Sequence, residues 1–306
     1  MSAVGIDLGG TKIAAQVFDA EWTIVDERRV ATPGDYNDLV AAMADQIAWS
    51  TGVAGAGAPV GIGAAGLVNP ATGLALTANL AASGRPFPAD IAKAAGRPVT
   101  YVNDCRALAL SEAVFGAGRG HRTVMSLILG TGVGGGVAID GALMDGPLAV
   151  GGEFGHMTAP AALVAQNGLP VVRCGCGRMA CAETLVAGAG MGRIAQALTG
   201  RALTPPQIAA ARGIDPEAAQ VWQVWCDVTA DLLRGLVLAL DPDIIVLGGG
   251  LSRIDGVAKD LGQALQAAQL DGYGVPPVVC AQGGAESGAR GAAYAAALAQ
   301  GQEGER

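Results

Sequence analysis

The chain has 306 residues, of which 51% are apolar but only 4% aromatic, and 48 are glycine. Such a core must be close-packed from Ala, Val, Leu and Ile, the composition of a soluble α/β protein, and the length favours two domains with a cleft over one. With 19 basic against 27 acidic residues the net charge is −8, and no Lys/Arg cluster could neutralise a run of phosphates, so nucleic acid is not expected as a partner.

The opening MSAVGIDLGG lacks the basic and apolar segments of a secretory signal, and no apolar run reaches the ~18 residues of a membrane span, so a cytoplasmic chain is expected. Residues 3 to 30 (VGIDLGG, TKIAAQVFD, WTIVDERRV) alternate apolar and polar positions, which predicts three short strands joined by tight turns. DYNDLVAAMADQIAWS has helical spacing and PVGIGAAG reads as a buried strand. GRPVTYVND reads as a strand running straight into the helix CRALALSEAVFGAG, and the first lobe is expected to end near Gly118. TVMSLILGTGVGGGVAIDGALM then repeats the opening pattern about 120 residues later, with Asp140-Gly141 as a hairpin signal. Residues 183 to 240 are mostly helical, with a long amphipathic piece from Pro216 to Leu240. DPDIIVLGGGLS is a buried strand ending in a glycine turn, with Ser252 as the expected N-cap of the next helix. The Ala-rich GARGAAYAAALAQ predicts a last helix, and the polar tail GQEGER is expected to fray.

Three apolar strands thus end in glycine clusters: DLGGTK at 7 to 12, LGTGVGGG at 129 to 136 and LGGGLS at 247 to 252. Such turns can aim backbone N–H groups at phosphates without a Cβ in the way. Gly130, Gly132 and Gly135 satisfy G-x-G-x-x-G, but a return strand follows where the dinucleotide fold needs a helix. Gly10-Thr11-Lys12 reverses the order of a Walker loop. Ordinary hairpin chemistry explains one or two of these turns but not Asp7, whose carboxylate, in the middle of VGIDLGG, is costly to bury unless it faces a cavity, a cation or donors. Asn103 and Asp104 end one strand and open a helix; both are favoured N-cap residues, yet the same place projects polar groups into an inter-lobe crevice.

Six cysteines in a reducing compartment do not predict disulfides. Cys105, Cys226 and Cys280 read as small buried hydrophobes. Cys174, Cys176 and Cys181, spaced Cys-x-Cys-x4-Cys, together with His156, supply three thiolates and an imidazole, the donor set of a closed structural zinc site. A redox motif would need Cys-x-x-Cys, which is absent.

Taken together, DLGGTK, VND, LGTGVGGG, GEFGHM, CGCGRMACAE and LGGGLS resemble, in order from about residue 3 to about residue 300, the motifs of the ROK sugar kinases of the actin-like ATPase superfamily. The resemblance implies an α/β fold of two actin-like, ribonuclease H-like lobes with a cleft. Residues 1–118 and the C-terminal helix 287–306 would form the small lobe, and 119–286 the large lobe with the zinc motif. It implies an ATP-dependent sugar kinase. ANLAASGRPFPADI, LALSEA and GEFGHM are similar to the family members that phosphorylate N-acetylglucosamine at its 6-hydroxyl, with other hexoses as alternatives.

By the same resemblance Asp104 is the general base. Asp7 helps to hold Mg²⁺ or its waters, and Gly9, Gly10, Thr11 and Lys12 wrap phosphate oxygens. Gly130, Thr131 and Gly132 face the phosphates from the second lobe, and Gly248, Gly249 and Gly250 lie against adenosine. Asn79, Asn103, Asp104, Glu153, His156 and Glu183 bond the sugar hydroxyls, and His156 with Cys174, Cys176 and Cys181 holds structural Zn²⁺. A homodimer without nucleic-acid or membrane partners is implied. Regulators of the family carry a helix-turn-helix ahead of the first strand, which here opens at about Ala3, so an enzyme is expected rather than a repressor. The chain departs from the family pattern at Gly63–Gly66, where GAAG lacks the usual proline, at Cys105, and at Ala180, where glycine is common.

Overall fold

The structure, a computed structural model, describes residues 2–304. Its opening strands β1 (Ala3–Leu8), β2 (Lys12–Phe18) and β3 (Ile24–Ala31) form an antiparallel meander. They are followed by α1 (Tyr36–Ala54), β4 (Val60–Ala64), the short pair β5 (Leu67–Val68) and β6 (Ala75–Leu76), α2 (Phe87–Ala95), β7 (Thr100–Asn103) and α3 (Asp104–Phe115). Next come β8 (Thr123–Leu129), β9 (Val133–Ile139), β10 (Ala142–Leu143), α4 (Ala161–Gln166), α5 (Glu183–Val186), α6 (Gly188–Thr199) and α7 (Pro205–Ala211). The chain ends with α8 (Pro216–Leu240), β11 (Ile244–Gly248), α9 (Val257–Ala268), β12 (Val278–Cys280) and α10 (Ser287–Gly304).

The first sheet is ordered β3-β2-β1-β4-β7 and the second β10-β9-β8-β11-β12. The two layouts correspond strand for strand, and β8 begins 120 residues after β1 (123 − 3), which is the internal repeat the sequence shows. In each, the central strands run parallel, β1 with β4 and β4 with β7, β8 with β11 and β11 with β12. Parallel strands need crossover helices, which leaves strand C-termini and helix starts on one side, where α/β proteins place ligands. The chain divides into two compact units: residues up to Gly120 with Gly136–Gly151 and everything from Gln282 on, and His121–Gly135 with Gly152–Ala281.

In the first unit the alternation of β1 separates two faces. Val4, Ile6 and Leu8 enter a core with Leu39, Met43 and Ile47 of α1 and Phe87 and Ile91 of α2. Ala3 packs on Ala289 and Ala293 of α10, and a Cβ on Gly5 or Gly61 would collide with the carbonyls of Ala289 or Ala292. Gly291 stands in the same relation to the Ala107 carbonyl of α3. The helix backbone therefore lies directly on the sheet and on α3, an approach only glycine permits. The fully buried carboxylate of Glu112 on α3 fastens the start of α10: it accepts from the Gln282 and Gly283 amides, the Ser287 hydroxyl and the Ala117 amide, at 2.8–3.0 Å.

The helix Pro216–Leu240 has the predicted bounds, with Asp215 accepting from the Glu217 and Ala218 amides and proline in its first turn. Two expectations fail. Ser252 does not cap a helix: its hydroxyl donates to the Gly249 carbonyl in a short 3-10 turn, and α9 starts at Val257 after Gly256. Cys280 is exposed and bonds the Ser252 carbonyl, because β12 is an edge strand, and Cys105 at the start of α3 is only half-buried, whereas Cys226 is buried as expected. The tail continues α10 to Gly304, and Glu305 and Arg306 lie outside the described residues.

Ala180, in the cysteine loop, has φ +58°. An alanine Cβ is strained in the left-handed region by about 1–2 kcal/mol. Ala180→Gly is expected to raise the unfolding free energy by about 1 kcal/mol, measured by denaturant unfolding with the metal content of both proteins held equal.

Candidate active site

In the first unit, Asp7 is the last inward residue of β1 on the face toward α10, paired in register with Ala14 of β2 and Gly63 of β4. The start of α10 comes so near that a Cβ on Gly288 would stand 3.3 Å from Asp7 Oδ1. Burial, and then the charge of Asp104, push the Asp7 carboxyl up to about 6, while Lys12 opposes the shift. Burial also raises Asp104, against the lowering effect of the Cys105 amide, which donates to its Oδ1 at 2.9 Å. Two desolvated carboxylates, one of them raised further by the charge of the other, mark a place suited to a cation or to proton transfer.

Asn103 takes the capping role: its Oδ1 accepts from the Cys105 and Arg106 amides, and its Nδ2 donates to the Gly66 carbonyl at 3.0 Å. Thus α3 starts with the Asp104 side chain fixed at its first turn. Gly66 has φ +100° and no room for a Cβ beside the Leu76 carbonyl, so this GAAG turn still requires its final glycine. The DLGGTK turn is closed by the Gly9 amide donating to the Lys12 carbonyl, and Thr32 of the loop after β3 braces it through the Gly9 and Thr11 carbonyls. Gly10 lies against Asn79, bringing the predicted phosphate turn beside a predicted sugar residue.

Two neighbours in this unit were not singled out from the sequence. Arg106, one turn into α3, donates to the carbonyls of Ala149 and Gly151 at 2.6 and 2.7 Å. Tyr101, two residues before Asn103, holds a buried hydroxyl without a hydrogen-bond partner among the described residues. Neither belongs to a motif; Arg106 reads as an ordinary helix residue and Tyr101 as a strand aromatic.

In the second unit, His156 and the three cysteines lie with their ligand atoms within 4.8 Å of one another. His156 Nδ1 is 3.6 Å from Cys174 Sγ, and Cys176 Sγ is 3.5 Å from Cys181 Sγ. A tetrahedral ion with metal–sulfur bonds of about 2.3 Å and metal–nitrogen bonds of about 2.0–2.1 Å sets its ligands roughly 3.6–3.8 Å apart. The donor set and spacing therefore fit a four-coordinate metal. Backbone bonds lock the two loops together, Ala182 N–H to the Met157 carbonyl and Ala159 N–H to the Ala180 carbonyl. His156 directs its other nitrogen, Nε2, toward Glu153 Oε2 at 3.6 Å.

Glu183 opens α5 two residues after Cys181, with Oε2 accepting from the Val133 amide at 2.9 Å and Oε1 3.5 Å from Cys174 Sγ. Gly130 N–H donates to the Gly132 carbonyl and Gly188 N–H to the Gly130 carbonyl, which shapes the LGTG turn. Gly249, at φ +84°, presses on the Leu129 backbone, so the turn at 248 to 250 lies against the end of β8. Among the described residues no helix is long and apolar enough to cross a membrane.

The ROK family model matches residues 3–300. The chain is 43% identical to the N-acetylgalactosamine kinase AgaK of Shewanella sp. (strain ANA-3) over 292 residues, 94% of each chain. It is 37% identical to the N-acetyl-D-glucosamine kinase of Pectobacterium atrosepticum, covering 94% of this chain and 97% of the relative. Among solved structures, a ROK hexokinase from Thermus thermophilus is 33% identical with a TM-score of 0.86, over 99% of this chain and 100% of the other. A ROK glucokinase from Streptomyces griseus in complex with glucose and AMPPNP is 29% identical with a TM-score of 0.76, over 97% and 100%. The chain belongs to the ROK family and is an ATP-dependent sugar kinase with an α/β fold of the actin-like ATPase type.

Proposed function

We propose that the chain transfers the γ-phosphoryl group of ATP to the 6-hydroxyl of an N-acetylated hexosamine, with N-acetylglucosamine as the substrate. The observation that carries the chemistry is the half-buried, upward-shifted Asp104 at the first turn of α3, beside Asp7. Asp104 takes the O6 proton as O6 attacks phosphorus in line; the new O6–P bond forms as the bond to the β,γ-bridging oxygen breaks, and ADP leaves. Because the step is loose, most of the catalytic effect lies in positioning and charge stabilisation.

In this reading Gly9, Gly10, Thr11 and Lys12 hold phosphate oxygens in the first unit, and Gly130, Thr131 and Gly132 do so in the second. Gly248, Gly249 and Gly250 accommodate the nucleoside. Asp7 would hold Mg²⁺ or its waters, and Mg²⁺, when bound, neutralises charge on the phosphates. Asn79, Asn103, Glu153, His156 and Glu183 meet the sugar hydroxyls. A polyhydroxylated ring needs every such partner, because each unmet buried group costs affinity.

His156, Cys174, Cys176 and Cys181 would hold zinc, which closes a four-ligand site and so serves structure. Its contribution is to fix which imidazole nitrogen is left for the sugar. A cytoplasmic homodimer completes the reading. The 43% identity to a relative named as an N-acetylgalactosamine kinase favours a second substrate, the 4-epimer; a hexose without the acetamido group is the next alternative.

ADP release in the presence of ATP, Mg²⁺ and single sugars tests this. Turnover is expected with N-acetylglucosamine or N-acetylgalactosamine at a kcat/KM at least tenfold above glucose, mannose and fructose, a difference of about 1.4 kcal/mol; a preference for glucose would sink the amino-sugar reading. Asp104→Asn is expected to lower kcat on the order of 10²–10⁴-fold while retaining sugar binding by calorimetry, and near-normal turnover would remove it as base. Elemental analysis of the purified protein should give about one zinc per chain. Fully active, metal-free protein refutes the zinc assignment.

A further inference from the structure

The Glu183 carboxylate does something in this chain beyond meeting a sugar. Its Oε2 accepts the amide of Val133, the residue directly after the Gly130–Gly132 turn. Gly132 packs so tightly on it that a Cβ there would stand 2.8 Å from the same oxygen. The Val133 carbonyl, on the next peptide, is covered by Gly155 of the sugar loop, where a Cβ would collide with it. At the other end of the turn, the Gly130 carbonyl accepts from Gly188 N–H, at the start of the helix that follows α5. The peptides flanking Thr131 and Gly132 are thus held at both ends by the segment that begins at Glu183.

An amide engaged by a carboxylate cannot turn toward a phosphate, and it fixes the peptide plane from which the preceding amides are aimed. A turn rich in glycine has no side chains to hold that plane, so the constraint has to come from outside the turn. A charge-assisted bond from a carboxylate to a backbone N–H is of the stronger kind.

We propose that Glu183 is a positioning residue for the nucleotide: by accepting the Val133 amide it holds the Gly130–Gly132 turn in the conformation that receives ATP phosphates. The proposal rests on the reading of that turn as a phosphate site, and it makes nucleotide affinity depend on the loop that ends in Cys181. The two carboxylate oxygens leave lone pairs for a sugar hydroxyl as well, so the two roles are separated by measuring nucleotide binding with no sugar present.

The test is calorimetric titration of MgADP into sugar-free protein, with thermal midpoint and metal content recorded for each variant. Glu183→Gln, which keeps a carbonyl oxygen for the amide, is expected to bind MgADP within about threefold of wild type, whereas Glu183→Ala loses on the order of tenfold. Should the alanine variant fail to fold, Glu183→Asp, which keeps the charge but is one methylene too short, is expected to weaken MgADP while Glu183→Gln does not. Unchanged affinity in Glu183→Ala, or equal loss in Gln and Asp, overturns the proposal, since a general structural or charge role makes no such distinction. Gly132→Ala separates the two layers. If it weakens MgADP and Glu183→Ala does not, only the positioning role falls; if neither changes MgADP affinity, the reading of the turn as a phosphate site falls with it.

Discussion

The backbone of α10 occupies space that side chains would ordinarily fill, and the polar groups of the first unit take their places from it. Gly5, Gly61 and Gly291 remove the Cβ atoms that would hold the helix off β1, β4 and α3. Glu112 then fixes its rotation and height by collecting four donors, three of them from the start of the helix and the turn just before it. A buried carboxylate is tolerable only when its acceptor sites are met, and here they are met by amides that would otherwise be orphaned as well. With α10 seated, Gly288 lies over Asp7 and Ala107 of α3 lies under Gly291, so backbone and small residues close the space beside Asp7, whose carboxyl burial raises. This is how a chain with few aromatics builds a low-dielectric site.

The second unit reaches a comparable rigidity by another route. Its polar residues sit on loops, and loops need ties that a sheet supplies for free. Backbone bonds between Met157 and Ala182 and between Ala159 and Ala180 hold the histidine loop to the cysteine loop, and the clustered Sγ and Nδ1 atoms have the spacing of a metal's ligands. Glu183 carries that order forward to β9 through Val133.

Much of the fold was legible because its determinants are local. Alternation in VGIDLGG and TKIAAQVFD, the Asp-Pro start of α8 and the Asp140-Gly141 hairpin each specify their element within a few residues, and the repeat at 120 residues follows from the same pattern met twice. Ser252 misled because serine before an apolar run is a capping signal, while the actual constraint is tertiary: Gly249 must lie on Leu129, and the hydroxyl is spent closing that turn. Cys280 misled because burial of a short apolar strand cannot be told from sequence when the strand is at an edge. In the site, residue types that carry chemistry were visible as motifs, but the Val133 amide, the Gly66 carbonyl and the Ala149 and Gly151 carbonyls held by Arg106 were not. Backbone groups have no letter of their own; only the chain's path assigns them partners.

If the proposed site assignment holds, Asn103 illustrates what this means for anyone wishing to alter the substrate range. Its oxygen is committed to the two amides that open α3, and its nitrogen to the Gly66 carbonyl. A replacement without a capping oxygen would release the first turn of the helix on which Asp104 stands, so a change aimed at selectivity would arrive as a change in rate. The residue is open only to replacements that keep a capping oxygen.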